Sequence, residues 1–131
     1  MCGIVGYIGN KNCVPILIDG LKRLEYRGYD SAGIGIIREN DALLIKNKGK
    51  VSLLEEKLNE QALSSNLGIG HTRWATHGIP NEQNAHPHTN SKNNLFIIHN
   101  GIIENFQVLK NALKALGYNF ESDTDSEVFA H

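Results

Sequence analysis

The sequence contains no long hydrophobic run. Nothing in its 131 residues approaches the roughly 18 consecutive apolar positions that a membrane-spanning helix requires, so no membrane span is expected. It also lacks an excess of charge of either sign. Thirteen basic and fourteen acidic residues leave a formal net charge of −1, which removes the electrostatic case for a nucleic-acid partner or an anionic membrane surface. Cysteine is scarce: Cys2 and Cys13 are the two thiols. Their separation matches no metal site or redox pair, and a cytosolic protein with reduced thiols is the simplest account. The N-terminus has neither a basic n-region nor a long apolar h-region, so no secretory leader is expected. Among the six histidines, His86 and His88 are two positions apart and His71 and His77 six apart. Neither spacing fits a helical or cysteine-supported metal site. The histidines are read as solvated or hydrogen-bonded loop residues, and neither a metal nor a cofactor is expected.

What is present reads as one globular domain with a single core. Residues 3–8 have the apolar character of a short buried strand. A helix fits from Val14, with Pro15 suited to its first turn, Ile16, Leu17, Leu21 and Leu24 at helical spacing, and Gly28 as a stop; Cys13 falls just before it as packing material. Ala32–Arg38 and Leu43–Lys46, joined by Glu39-Asn40-Asp41, form a hairpin candidate. Leu53, Leu54 and Leu58 predict a short amphipathic helix, and Leu67–Arg73 a strand. Residues 77–94 hold two prolines, five asparagines and three histidines. They are read as a long irregular loop, a class that is functional when ordered. Leu95–His99 is a further strand. Phe106, Leu109, Leu113 and Leu116 define one face of a helix stopped by Gly117. Thr124-Asp125-Ser126-Glu127 reads as a capping box opening another helix. The chain ends in that apolar start, Val128-Phe129-Ala130, which predicts a continuation past His131. Strands, helices and a hairpin without βαβ alternation give an α+β class with antiparallel sheet layered on helices.

Four segments carry chemistry. If Met1 is removed, Cys2 holds a thiol and a free α-amine on adjacent carbons. In model peptides such groups titrate at about 8.5 and about 7.7–8. The amine can then take the thiol proton, an activated nucleophile with its own base; the alternative is a small hydrophobe starting an edge strand. In His71-Thr72-Arg73-Trp74-Ala75-Thr76-His77-Gly78, Arg73 is suited to clamp a carboxylate with two parallel bonds and Trp74 to form an apolar lid, or both are ordinary packing. In His99-Asn100-Gly101, a side-chain amide beside a glycine N–H offers two donors to one point, as an oxyanion hole needs; the same dipeptide also makes simple turns. In Ser122-Asp123-Thr124-Asp125, two acids ahead of a helix would bind a ligand ammonium or complement the helix dipole.

Taken in order, Met1 to Tyr7, Arg23-Leu24-Glu25-Tyr26-Arg27-Gly28-Tyr29-Asp30-Ser31-Ala32-Gly33, His71 to Gly78, Asn84-Ala85-His86-Pro87-His88, His99 to Asn105 and the Asp125 segment resemble the glutaminase domain of class II glutamine amidotransferases. The Tyr26–Gly33 and His71–Gly78 motifs resemble the glutamine–fructose-6-phosphate aminotransferase (isomerising) branch. The resemblance covers essentially residues 1–131. It implies an N-terminal nucleophile hydrolase fold, an αββα four-layer sandwich incomplete at the C-terminus. It implies that Cys2 attacks the side-chain amide of L-glutamine and passes through a thioester to glutamate and ammonia. Asn100 and Gly101 match the oxyanion-hole pair, Arg73 the group on the glutamine α-carboxylate, and Asp125 the acid on its α-ammonium. Trp74, Thr76 and His77 match a loop that closes over glutamine, and Arg27 orders the nucleophile's end of the site. The family's sugar-isomerase domains, which convert fructose 6-phosphate to glucosamine 6-phosphate, fall outside these residues. The resemblance also implies a cytoplasmic homodimer for the whole enzyme. Another class II amidotransferase, a stand-alone glutaminase and a glutamine-binding module without activity are the alternative readings.

Overall fold

A computed structural model of the chain describes residues 1–75 and 78–131. In chain order it contains β1 (Gly3–Ile8), α1 (Cys13–Leu24), a single 3₁₀ turn over Glu25–Arg27, β2 (Ser31–Ile37), β3 (Ala42–Lys48), α2 (Val51–Asn59), β4 (Leu67–Arg73), β5 (His88–Thr89), β6 (Phe96–Ile97), α3 (Phe106–Ala115) and a 3₁₀ turn over Ser126–Phe129. Four strands form an antiparallel sheet in the order β1-β4-β2-β3, and β5 and β6 form a separate two-stranded ladder.

Asn12 starts α1. Its side-chain oxygen accepts from the Val14 and Ser65 amides, both at 3.2 Å, satisfying one of the donors a helix start leaves open. Cys13, expected ahead of the helix, is its first residue and fully buried; burial pushes its thiol pKa up. Leu17, Ile18 and Leu21 of α1 meet Val51, Leu54 and Leu58 of α2 over Ala32, Ile34 and Ile36 of β2. Period-two alternation sends these β2 side chains to the helices and their neighbours to the other face. That other face of β2 is lined by Gly33 and Gly35. A Cβ on Gly35 would lie 2.8 Å from the Phe96 ring of β6, and one on Gly33 would collide with the His86 carbonyl oxygen. The missing side chains let the 84–97 segment lie directly on the sheet, which is therefore covered on both faces.

Four expectations need correction. The 77–94 stretch is not wholly irregular, because His88–Thr89 pairs with Phe96–Ile97; for the same reason the strand expected over Leu95–His99 shrinks to two residues. Of the histidines read as solvated or hydrogen-bonded, His86 and His88 are not solvated: they are 6% and 3% exposed, because this segment packs on the glycine face of β2, and His88 is hydrogen-bonded to Thr124 Oγ1. The capping box at Thr124 does not form. Thr124 Oγ1 bonds His88 Nε2 at 2.7 Å, and the Glu127 carboxylate accepts instead from the amides of Glu121 (2.9 Å) and Ser122 (2.8 Å). The resulting element is a short 3₁₀ turn, with no side-chain cap from Asp125. The helix ending at Gly117 forms as expected, with Gly117 at φ +94°, a backbone conformation that favours glycine. None of the residues in α3 is fully buried.

Candidate active site

The site grows from the register between β1 and β4. Gly3 pairs with Thr72 and Ile4 with His71, so the residue before β1 lies beside the residues that end β4. Gly3 N donates to Thr72 Oγ1 at 3.1 Å, and the next contact along the pair is functional in character: the Trp74 amide donates to Cys2 Sγ at 3.1 Å. The Cys2 thiol in turn lies 3.5 Å from the Trp74 carbonyl oxygen, to which it donates. Cys2 is half-buried and unpaired by disulfide.

Past β6, Asn100 reaches the same point. Its Nδ2 donates to the Cys2 carbonyl oxygen at 3.2 Å, and its Oδ1 accepts from His71 Nε2 at 2.7 Å. Gly101 follows and lines the same cavity. Arg73 ends β4 almost fully buried, 3% exposed. Its guanidinium donates to the Gly78 and Ile79 carbonyls, each at 3.2 Å, and burial draws its pKa down. Asp125 is 4% exposed. One carboxylate oxygen accepts from the Ile103 amide at 2.7 Å, and the other from Ser126 Oγ at 3.3 Å. Trp74 is half-exposed, its ring edge-to-face with Tyr29 at 5.6 Å. Arg27 lies on the Met1 side, its Nη2 3.5 Å from Met1 Sδ. Cys2, Arg27, Arg73, Trp74, Asn100, Gly101 and Asp125 all border one cavity of about 360 Å³, a size suited to a small ligand. Thr76 and His77 lie outside the described residues.

Sequence reasoning missed two supports. Asp30 braces the end of β4: its amide donates to the Arg73 carbonyl at 3.2 Å, and its carboxylate accepts from the Ala75 amide and from Ser31 Oγ. Its signal was its place inside the Tyr26–Gly33 motif. His71 shares a β4 face with Arg73 by strand alternation, a parity that was available and unused.

Three histidines fill the space behind the cavity. The His71 and His86 rings are 4.4 Å apart, as are those of His86 and His88. Burial is the main cause that pulls all three pKa values down, His71 to about 4 and His88 to about 3, with His86 lower still; Arg73 and Lys46 act in the same direction on His86 and His88. Lys46 itself holds the covering loop by donating to the Gln83 and Ala85 carbonyls at 3.0 and 2.8 Å, and burial draws its pKa to about 8. The three rings are therefore neutral in the folded protein at pH 7, whereas in the unfolded chain each binds a proton below about 6.5. Their contribution to stability is complete above pH 6.5 and is lost as pH falls toward 4. Each ring adds a slope of about 1.4 kcal/mol per pH unit in that window. Between pH 7 and pH 5 the unfolding free energy is expected to fall by about 6 kcal/mol in total, read from denaturant midpoints. A curve flat over that range would contradict the buried, neutral cluster. Among the described residues, no group of three or more His, Cys, Asp or Glu side chains is arranged to hold a metal ion, and no helix is long and apolar enough to cross a membrane.

Chemically, the cavity offers a thiol with an amide donor on it, a side-chain amide held against the same residue, a buried guanidinium and a buried carboxylate. Opposite charges at separate points of one small cavity suit a zwitterion, and the thiol and amide suit a polarised carbonyl.

Comparison with known proteins points the same way. Residues 55–131, more than half of the chain, match the family model described as a glutamine amidotransferase domain. Over 131 residues the chain is 56% identical to the glutamine–fructose-6-phosphate aminotransferase (isomerising) of Clostridium tetani, covering all of this chain and 22% of that protein. It is 60% identical over 129 residues to the Bacteroides thetaiotaomicron enzyme of the same name, covering 98% of this chain and 21% of that one. The chain thus spans about a fifth of the length of the curated relatives it matches. Among solved structures, the glutamine phosphoribosylpyrophosphate amidotransferase of B. subtilis, complexed with ADP and GMP, superposes with a TM-score of 0.83 at 29% identity, covering all of this chain and 28% of that one. A structure described as the allosteric regulatory enzyme of purine biosynthesis gives 0.84 at 30%, covering all of this chain and 29% of its own. The fold is the α+β N-terminal nucleophile hydrolase fold expected above, and the chain belongs to the glutamine amidotransferase domain family.

Proposed function

We propose that this chain hydrolyses the side-chain amide of L-glutamine at Cys2, as the glutaminase part of a glutamine–fructose-6-phosphate aminotransferase. The observation that carries the reading is the meeting of two chain-distant donors at one residue: the Trp74 amide on Cys2 Sγ and the Asn100 amide on the Cys2 carbonyl, both at the mouth of a cavity that also holds Arg73 and Asp125.

With Met1 removed, the Cys2 α-amine takes the thiol proton and Sγ attacks the glutamine amide carbon. The carbonyl oxygen becomes an oxyanion and accepts from Asn100 Nδ2 and the Gly101 amide. The α-amine returns the proton to the departing nitrogen, ammonia leaves, and water hydrolyses the Cys2 thioester to glutamate. Arg73 holds the α-carboxylate and Asp125 the α-ammonium. Trp74, with Thr76 and His77, closes over the bound amino acid, and Arg27 orders the N-terminal end. Ammonia then reaches fructose 6-phosphate in sugar-isomerase domains outside these 131 residues, giving glucosamine 6-phosphate, in a homodimeric enzyme of the cytosol.

An assay of glutamate release tests this. In the whole enzyme, one glutamate per glucosamine 6-phosphate formed is expected with glutamine as the sole nitrogen source. Amino-sugar formation without glutamate release, or no use of glutamine at all, would overturn it.

A further inference from the structure

The oxyanion role proposed for Asn100 poses a problem of orientation. A primary amide is nearly symmetric in shape, and rotation by half a turn would put Oδ1, an acceptor, where Nδ2 must stand. Asn100 is an exposed residue on a loop, so packing alone does not fix its amide. His71 supplies what packing lacks. It is fully buried in β4 and clasped by the His86 ring at 4.4 Å. Its Nε2 stands 2.7 Å from Asn100 Oδ1, and on the other side of the amide Nδ2 stands 3.2 Å from the Cys2 carbonyl oxygen. A carbonyl cannot donate, so the Cys2 oxygen requires Nδ2 on that side. Oδ1 then requires a donor from His71, and the ring carries its proton on Nε2.

We propose that His71 is a positioning residue: its Nε2–H holds the Asn100 side-chain amide with Nδ2 toward Cys2, pre-aiming the oxyanion donor before glutamine binds. This rests on the glutaminase reading above. The bond anchors an exposed loop side chain to a buried ring, and such preorganisation is what an oxyanion hole contributes over solvent. The flipped amide would set Oδ1 against both the Cys2 carbonyl and the developing oxyanion. Because the anchor acts on a group engaged chiefly as negative charge develops, its loss falls on turnover more than on binding.

The test uses glutaminase kinetics of the whole enzyme with three variants. Glutamine at position 71 places its amide nitrogen near the site of Nε2 and keeps a donor; asparagine is too short to reach, and phenylalanine keeps the ring without a donor. We expect His71→Gln to keep kcat within about threefold, and His71→Asn and His71→Phe to lower kcat about 10- to 100-fold, the lower part of the range for losing an oxyanion donor. KM for glutamine should change less than threefold in each. In an Asn100→Ala background the same substitutions should cost almost nothing further, since the group they orient is gone. Equal losses in the Gln and Asn variants, a rise in KM in place of a fall in kcat, or a full additional loss in the Asn100→Ala background would each overturn the inference. If His71→Phe does not fold, the contrast between the Gln and Asn variants decides. A Cys2→Ala control separates the two levels of argument. Glutamine hydrolysis surviving that change would remove the glutaminase reading itself, whereas a dead control beside indifferent His71 variants would remove only the positioning role.

Discussion

Alanine at Cys2 is expected to lower glutamine hydrolysis at least 1,000-fold, the scale on which removal of a covalent nucleophile reduces kcat. Among the described residues the thiol is the one group lining the cavity able to form a thioester: Asn100 and Gly101 are donors, Arg73 is a cation, Asp125 accepts from the Ile103 amide, and the Thr124 and Ser126 hydroxyls are far weaker nucleophiles than a thiol. Sugar isomerisation in the whole enzyme should continue, because it does not use the thiol. Serine at position 2 should also be poor, since a hydroxyl is a far weaker nucleophile than a thiol beside the same amine. Measuring glutamate release and isomerisation side by side checks both halves. Equal loss of the two activities would mean that the substitution had damaged the fold instead of the chemistry.

The second large effect belongs to Arg73. Alanine there is expected to lower kcat/KM for glutamine about 100- to 1,000-fold, mainly through KM. A buried guanidinium meeting a carboxylate is a charge-assisted pair, and removing one partner of such a pair costs about 2–5 kcal/mol. Lysine should recover only part of the loss, because an ammonium cannot present two parallel donors. The guanidinium also holds the Gly78 and Ile79 carbonyls, so the alanine variant should lose some thermal stability as well. Kinetics on glutaminamide, which lacks the α-carboxylate, separate the two effects: the variant and the parent should differ little on that substrate. A persistent 100-fold difference there would show that Arg73 acts on the fold and not on the carboxylate.

Much of this was legible in the sequence, for reasons that differ by element. Strand β4 was read at its observed boundaries because Leu67–Arg73 combines strand-forming residues with a polar end. The β2–β3 hairpin followed from its turn. Helix α1 was displaced by one residue, since Asn12 caps it from a position that looked like part of a turn. The errors came from competing partners, some local and some distant, that the local pattern does not reveal. Glu127 was assigned to a capping box three residues away, but it accepts from the Glu121 and Ser122 amides, while Thr124 is drawn off by His88. His86 and His88 read as solvated or hydrogen-bonded because their segment is polar; they are buried because Gly33 and Gly35 leave a bare face on β2. At the site, residue types suggested the thiol, the amide and the two charged groups. The supporting bonds were not visible, because Asp30 meets the end of β4 only through the β2–β4 register, and the partner of His71 is Asn100, 29 positions away on a loop.

The most direct measurement is of the covalent intermediate. Enzyme quenched in acid during turnover of glutamine should carry a glutamyl group, and peptide mapping should place it on a peptide whose first residue is Cys2, with Met1 gone. The adduct should be absent from Cys2→Ala protein. Active enzyme that retains Met1, or a glutamyl group found on any other residue, would contradict the account at its centre.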